Sequence, residues 1–295
     1  MTPQKTVIRL CRGLPPWASD LLINKLMARS SVFGPWSFRD LVSRNLARIL
    51  TYAGKDPSPE ALGRCLEEVV ATQGRMLGFM FQLPEEQRFS REDVDLPLLE
   101  PLADLRSEGR GVIVATLHFG LFLHAITALE GRVPWRLSLA ARGDASFLAM
   151  RPHIRQRCVR VGSCAAEALD ALRANEVFVA ITDFNLLPRS PRTLLFGAPA
   201  HLGYGAARLA LASGAPILPA YALPDGDRVR FVADAPIRPA PGERLTHLNE
   251  RLARSIERYV GKRPGLWVLF HDLWAAEKPA LRRFDYYSAR GSRTP

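Results

Sequence analysis

The sequence predicts an α/β protein with a twisted, mostly parallel sheet flanked by helices and preceded by an N-terminal helical region. Beyond about residue 110, short apolar runs rich in β-branched residues alternate with amphipathic segments, a pattern typical of parallel sheets. The first hundred residues instead carry apolar side chains at helical spacing. With 295 residues, 47% of them hydrophobic, the chain is long enough to bury a large core.

The N-terminal region contains three predicted helices. Ser37 is a plausible N-cap of the second helix and Ser58 of the third, because a serine hydroxyl accepts a hydrogen bond from an amide of the first turn. Pro84 ends the third helix, and residues 88–101 are polar and predicted to be irregular. The predicted helices span residues 7–35, 37–53 and 59–81.

Strands and helices alternate through the rest of the core. We predict strands at residues 112–117, 135–140, 158–161, 177–182, 215–221 and 229–233, the last an edge strand, and a final strand or buried run at 267–270. The predicted helices between them span residues 98–106, 121–129, 145–155, 165–174, 202–213 and 245–260. The expected division is an N-terminal region 1–100, an α/β core 101–278 and a basic tail 279–295.

The charge balance favours an anionic partner. Lys and Arg number 40 against 29 Asp and Glu, a formal net charge of +11. Such an excess suits a membrane surface, a nucleic acid or an acidic protein. No nucleic-acid-binding module is recognisable, so we expect no nucleic acid. Aromatic and basic residues alternate in residues 17–39, which is typical of an interfacial helix and equally of a helix packed on its own core.

The cysteines and the N-terminal sequence indicate the compartment. Four scattered cysteines fit neither a zinc site nor a disulfide framework, so we predict reduced thiols and no metal. The first residues lack the charged and then apolar run of a signal peptide. We therefore expect a cytoplasmic protein, with peripheral contact to the inner membrane as an open alternative.

Two of the predicted strands end at residues that can carry proton chemistry. The strand at 112–117 ends at His118, and the strand at 177–182 ends at Asp183. The carboxyl ends of parallel strands are where active-site crevices form. A buried structural histidine is the competing interpretation of His118. Gly203 and Gly205 at a helix start suit either an anion or close helix packing.

Familiar nucleotide and hydrolase signatures are absent. The chain contains no Walker loop, no Gly-x-Ser-x-Gly elbow and no His-Glu-x-x-His pair. P-loop nucleotide hydrolysis, α/β-hydrolase chemistry and zinc proteolysis are therefore not predicted.

Six segments of the sequence carry a further signal, because they stand in one order and together span nearly the whole chain. The segments are Arg44-Asn-Leu-Ala-Arg48, Thr116-Leu-His118-Phe-Gly120, Asp183, Leu195-Phe-Gly197-Ala-Pro-Ala200, Leu209-Ala-Leu-Ala-Ser-Gly214-Ala-Pro-Ile-Leu-Pro219 and Leu266-Trp-Val-Leu-Phe-His271-Asp-Leu-Trp274. Each is similar to a motif of one family, so the chain resembles the bacterial lipid A biosynthesis or late acyltransferases of the lysophospholipid acyltransferase superfamily.

The resemblance implies acyl transfer from acyl carrier protein or coenzyme A to a hydroxyl of a glycolipid, with His118 as general base and no cofactor besides the thioester co-substrate. In the family a carboxylate five residues after the histidine orients its ring. Here that position is Leu123. Three interpretations follow: another acid such as Asp183 takes over, the acceptor is an amine, or a non-catalytic protein keeps the fold to bind lipid or a carrier protein. We favour the first.

Basic residues are the candidates for substrate binding. Arg142 and Arg151 suit the donor's phosphates or an anionic acceptor group, with a solvated surface as the alternative. The resemblance places Arg189 and Arg192 where the superfamily carries acceptor-binding residues. We expect His271 and Trp274 to serve packing. Two apolar segments are the candidates for lining an acyl groove, namely residues 62–81 and 121–129.

Overall fold

The fold was analysed in a computed structural model of the chain. It describes residues 37–82, 93–139, 156–160, 164–185, 191–226, 228–269 and 271–275, together with Leu14, Ala18 and Leu22. The predictions for most of residues 7–35, the helix at 145–155 and the tail 279–295 lie outside the described residues.

A seven-stranded, mostly parallel sheet forms the centre of the described part of the chain. The strand order is β1-β9-β8-β2-β5-β3-β4, and a separate hairpin pairs β6 with β7. All neighbouring strands of the sheet are parallel except β8 and β9. The strands are β1 Val94–Asp95, β2 Val112–Thr116, β3 Trp135–Leu139, β4 Cys158–Arg160, β5 Val177–Ile181, β6 Thr193–Leu195, β7 Ala198–Ala200, β8 Ile217–Asp225 and β9 Arg228–Ala233.

Seven α-helices lie around this sheet within the described ranges. They are α1 Ser37–Tyr52, α2 Pro59–Gln82, α3 Leu99–Arg106, α4 Phe122–Thr127, α5 Cys164–Arg173, α6 Gly205–Ser213 and α7 Leu245–Lys262. A 3₁₀ turn, Pro264–Leu266, follows α7. The predicted α/β class and the helical N-terminal region are confirmed.

The sheet is buried on both faces, which explains the nearly continuous apolar runs of its central strands. All five residues of β2 are buried. Ile113 and Ala115 belong to a core that includes residues of α5, α6 and α7. Val112 and Val114 belong to the opposite core, with residues of α3 and α4. Successive side chains of a strand point to opposite faces, so a single buried strand supplies both cores.

The two N-terminal helices, α1 and α2, pack against each other. Val42, Leu46 and Val69 form a small apolar cluster between α1 and α2. Ser58 caps α2 as predicted, because its hydroxyl accepts a hydrogen bond from the amide of Ala61 at 3.3 Å. No helix in the described part of the chain combines the length and the apolarity needed to cross a membrane.

Three predictions of local structure are wrong. Strand β9 is not an edge strand, because β1 pairs with it on the outer side, with Val94 opposite Val229. That pairing also gives residues 94–95 a strand where we predicted only irregular backbone. We predicted a basic, proline-rich loop after Asp183, at residues 185–197, and this missed the β6–β7 hairpin, whose strands are only three residues long.

The structure bears on two of the predicted alternatives, the run near Trp267 and the glycine pair at 203 and 205. Near Trp267 the chain forms a buried run with a single bridge to Phe119 rather than a strand. At Gly203 the packing interpretation is supported, because a Cβ atom there would lie 2.8 Å from the carbonyl oxygen of Thr182. The Gly203 amide also donates to that oxygen at 2.8 Å, so it does not face an anion. At Gly205 a Cβ atom would meet nothing within 4 Å, so close packing explains Gly203 alone.

Gly120 connects β2 to α4 and sets how closely the chain approaches β8. Its φ is +58°, and a Cβ atom there would lie 1.9 Å from the carbonyl oxygen of Ala222. Its amide donates to the carbonyl of Leu266 at 2.8 Å. Only glycine fits both the backbone angle and the available space.

We predict that Gly120→Ala lowers the free energy of unfolding by about 2–5 kcal/mol, because it adds a steric overlap to left-handed strain. Gly54→Ala is the matched control, because Gly54 also has a positive φ of +68° but has open space around it. It should cost only the backbone strain, about 1–2 kcal/mol. Urea unfolding measures both, and equal losses for the two variants would contradict the close approach.

Candidate active site

The strand register brings His118 and Asp183 together. Strands β2 and β5 are parallel neighbours, and Thr116 lies opposite Ile181. His118 and Asp183 each follow two residues later, so they leave the sheet side by side at its carboxyl edge. The sequence placed both residues at strand ends, and the pairing of the two strands makes them neighbours.

Two hydrogen bonds join these residues. His118 Nδ1 lies 2.8 Å from Asp183 Oδ1, and the backbone amide of His118 donates to Asp183 Oδ2 at 2.9 Å. A carboxylate only accepts, so the Nδ1 atom of the ring carries the donated hydrogen. In the neutral ring this tautomer leaves Nε2 as the acceptor of a proton.

Trp267 supplies a third donor to the same carboxylate. Its indole Nε1 donates to Asp183 Oδ2 at 2.8 Å. Asp183 is completely buried, so its charge requires these three hydrogen bonds. Burial by itself raises the pKa of the Asp183 carboxyl, but His118 and the hydrogen bonds outweigh it and hold the pKa below its usual range. Asp183 is therefore ionised at neutral pH.

The protonation of His118 follows from the same contacts. Burial lowers the pKa of the His118 ring, but the charge of Asp183 and its hydrogen bond outweigh that effect, so the net pKa is raised. The His118 side chain is 37% exposed, whereas that of Asp183 is 1% exposed. The His118 ring therefore reaches the surface, and the buried Asp183 carboxylate fixes its orientation. This arrangement suits a histidine that transfers protons.

The chain segment around the 3₁₀ turn fixes the backbone of His118. The amide of Val268 donates to the carbonyl of His118 at 2.8 Å. Gly265, within the turn, packs so tightly on α2 that a Cβ atom would lie 2.6 Å from the Cβ of Glu68. Glu68 also forms an ion pair with Arg263. Helix α2 therefore holds the segment that carries Trp267.

His271 and Asn45 hold the backbone of Asp183. His271 Nε2 lies 2.9 Å from the carbonyl oxygen of Asp183, and Asn45 Nδ2 donates to the carbonyl of His271 at 3.1 Å. Burial lowers the pKa of His271 to about 4. A neutral ring with its hydrogen on Nε2 donates to the Asp183 carbonyl, so His271 holds the main chain of the acid.

Leu123 lies on α4 and is buried in the apolar core that covers one face of the sheet. It stands at the position where the resembling family has its motif acid. The carboxylate that contacts His118 comes instead from Asp183, at the end of the neighbouring strand. Of the three interpretations of Leu123, this arrangement is the geometry that the first one requires.

Among the predicted substrate-binding residues, the structure describes only Arg192. It is exposed, and its guanidinium donates to the carbonyl of Ala275 at 3.2 Å. Arg142, Arg151 and Arg189 lie outside the described residues. The substrate-binding roles of these four residues stay predictions.

Sequence reasoning missed Trp267 and Asn45 as contributors to the site. Both lie in segments quoted for the family resemblance, which was the available signal. Neither residue type carries proton chemistry, so a search for acids and bases passes over them. Their contribution is a hydrogen bond made across 84 residues by Trp267 and across 226 residues by Asn45.

Comparison with known proteins gives a family for the whole core. The family model described as bacterial lipid A biosynthesis acyltransferase matches residues 7–276. The match includes both N-terminal helices and the segment that carries Trp267 and His271. A search of curated proteins returned no match.

We predict that Trp267→Phe leaves Asp183 with one donor too few and costs about 1–3 kcal/mol more than a matched tryptophan substitution. The match is Trp135→Phe, because Trp135 is equally buried and its indole also donates to a carboxylate, Glu130, at 3.0 Å. The Glu130 side chain is 37% exposed, so water replaces the lost donor there. Equal losses in chemical unfolding would show that the bond to Asp183 contributes nothing.

Proposed function

The chain belongs to the bacterial lipid A biosynthesis acyltransferase family, and we propose that it transfers an acyl group from an acyl thioester to an acceptor hydroxyl with His118 as general base. The observation that carries the proposal is the His118–Asp183 pair, joined at 2.8 Å between Nδ1 and Oδ1. The pair supplies the base and the orienting acid that acyl transfer needs, although the motif position holds Leu123.

The chemistry follows from the tautomer that Asp183 selects. Nε2 of His118 removes the proton of the acceptor hydroxyl while the hydroxyl oxygen attacks the thioester carbonyl carbon. The tetrahedral intermediate collapses with cleavage of the carbon–sulfur bond. The imidazolium returns its proton to the departing thiolate, so the products are an ester and a free thiol, and His118 is regenerated.

Asp183 stabilises the charge that forms during this cycle. When His118 takes up the proton, the imidazolium lies against an ionised and fully buried carboxylate. The raised pKa of His118 reflects this stabilisation. A base of increased pKa is the stronger proton acceptor, and it suits a weakly acidic hydroxyl. An amine acceptor has less need of an orienting acid, so the intact pair favours the hydroxyl.

The donor is an acyl carrier protein or a coenzyme A thioester, both of which are acidic. The net charge of +11 supports an acidic partner and also contact with an anionic membrane surface. Phe122 of α4 meets the His118 ring edge-on, with 4.9 Å between the ring centroids. The acyl groove that we propose along residues 62–81 and 121–129 would begin at this apolar contact.

The competing function is a non-catalytic protein that keeps the fold to bind lipid or a carrier protein. The feature that favoured it is the leucine at the motif position. Asp183 weakens that argument. Burying its charge costs free energy of folding even with three hydrogen-bond donors, and a site without chemistry has no need of a buried charge. Intact-mass detection of acyl transfer to a panel of acceptors separates the two functions.

We predict that His118→Ala abolishes acyl transfer and that Asp183→Asn lowers its rate at least about a hundredfold, the range of a general-base contribution. Leu123→Glu should give no gain in rate, because Asp183 already orients His118. It should also lower the free energy of unfolding, since Leu123 is only 5% exposed and the new charge would be unpaired.

Leu123→Gln is the matched control, because it has nearly the same size as glutamate without the charge. Circular dichroism should show an unchanged fold for the His118 and Asp183 variants. A rate within tenfold of wild type for Asp183→Asn would remove Asp183 as the orienting acid and favour an amine acceptor. A gain in rate for Leu123→Glu would show that the motif acid had simply been lost.

A further inference from the structure

The hairpin between β6 and β7 contains a strained turn. Leu195 pairs with Ala198, so Phe196 and Gly197 form a two-residue loop. Both have positive φ, +48° at Phe196 and +73° at Gly197, as a type I′ turn requires. Asparagine or glycine normally occupies the first of these positions. A bulky aromatic residue in the left-handed region persists only when its surroundings hold it there.

Glu257 on α7 is the residue that holds this turn. The backbone amide of Phe196 donates to Glu257 Oε1 at 2.6 Å. The hydroxyl of Tyr52, at the end of α1, donates to Glu257 Oε2 at 3.2 Å. The Tyr52 ring also meets the Phe196 ring edge-on at 5.5 Å between centroids. One carboxylate therefore joins α7, α1 and the turn of the hairpin.

The ring of Phe196 reaches from this turn towards the acid of the active site. Its centroid lies 6.2 Å from that of Trp267 and 6.3 Å from that of Trp274. The two tryptophan rings are in turn 6.5 Å apart. Trp274 Nε1 donates to the carbonyl of Leu195 at 3.0 Å, which fixes this tryptophan to the hairpin. We call Phe196, Trp267 and Trp274 the aromatic cluster.

We propose that Glu257 is a positioning residue that acts on His118 through Phe196, the aromatic cluster and Asp183. The turn sets the position of the Phe196 ring beside Trp267, and Trp267 donates to the carboxylate that contacts His118. The effect on turnover rests on the proposed acyl transfer. The effect on the histidine–carboxylate pair does not depend on it.

The geometry explains why a carboxylate suits this position. Phe196 is nearly fully buried, so its amide needs an acceptor within the protein. Without Glu257 the Phe196 amide loses this acceptor, and the left-handed backbone of Phe196 loses the contact that offsets its strain. We expect the turn to shift and to displace the Phe196 ring relative to Trp267. Glutamine keeps a carbonyl oxygen for the Phe196 amide, so Glu257→Gln preserves the essential contact.

The test is the ring titration of His118, followed by NMR on histidine-labelled wild type, Glu257→Ala and Glu257→Gln, with His118→Ala used for assignment. We expect Glu257→Ala to lower the pKa of His118, because a displaced Trp267 loosens the Asp183 carboxylate. Glu257→Gln should retain the wild-type titration. Glu243→Ala is the control, because Glu243 accepts a hydrogen bond from the Ala240 amide and binds Arg251 away from the aromatic cluster.

The second measurement is release of free coenzyme A from palmitoyl-coenzyme A with an acceptor identified by the panel. Glu257→Ala should lower kcat about tenfold, because small displacements far from the reacting atoms reduce rates strongly, and should leave KM within about twofold. A His118 titration unchanged in Glu257→Ala would overturn the inference. Absence of transfer by wild type from both coenzyme A and acyl carrier protein thioesters, to every acceptor of the panel, would instead overturn the proposed function. The titration would still decide the role of Glu257.

Discussion

The buried charge of Asp183 is the interaction on which the arrangement of the site depends. A carboxylate with no exposure to water costs several kcal/mol unless hydrogen bonds replace its hydration. Three donors do so, from the ring and backbone of His118 and from the indole of Trp267. These donors come from the residue that follows β2 by two positions and from the chain after α7, so the carboxylate is stable only when both are in place. The fold and the proposed proton chemistry therefore depend on the same contacts.

The position of the acid also shows what a motif stands for physically. What orients the histidine is a carboxylate that accepts a hydrogen bond from Nδ1. Where that carboxylate stands in the sequence matters less than where it lies in the fold. In this chain the acid follows β5 instead of lying on α4, and the parallel register of β2 and β5 brings it to the His118 ring. Leu123, five positions after His118, therefore does not need to be an acid, and its apolar side chain packs in the core. A missing motif residue is a weak argument for lost activity until the neighbouring strand ends have been examined.

Much of this could be predicted from the sequence, for identifiable reasons. The central strands could be predicted because both of their faces are buried, so they appear in the sequence as apolar runs. His118 and Asp183 were identified because each stands at the end of such a run. The hairpin was missed because three-residue strands leave almost no periodic signal. The prediction that β9 is an edge strand was wrong because its outer partner, β1, has only two residues and leaves no pattern in the sequence. Trp267 and Glu257 act through contacts between distant segments, which no local pattern encodes.

The central claim is that Asp183 sets the basicity of His118 during turnover, and the pH dependence of kcat/KM tests it most directly. His118 must be neutral to accept a proton, so the rate falls as the pH drops through its pKa. In wild type this acid limb should lie above 6.5, the ordinary pKa of histidine, because the Asp183 charge raises the pKa of His118. In Asp183→Asn the charge is removed, and the limb should move to lower pH. An acid limb at the same pH in both proteins would contradict the account.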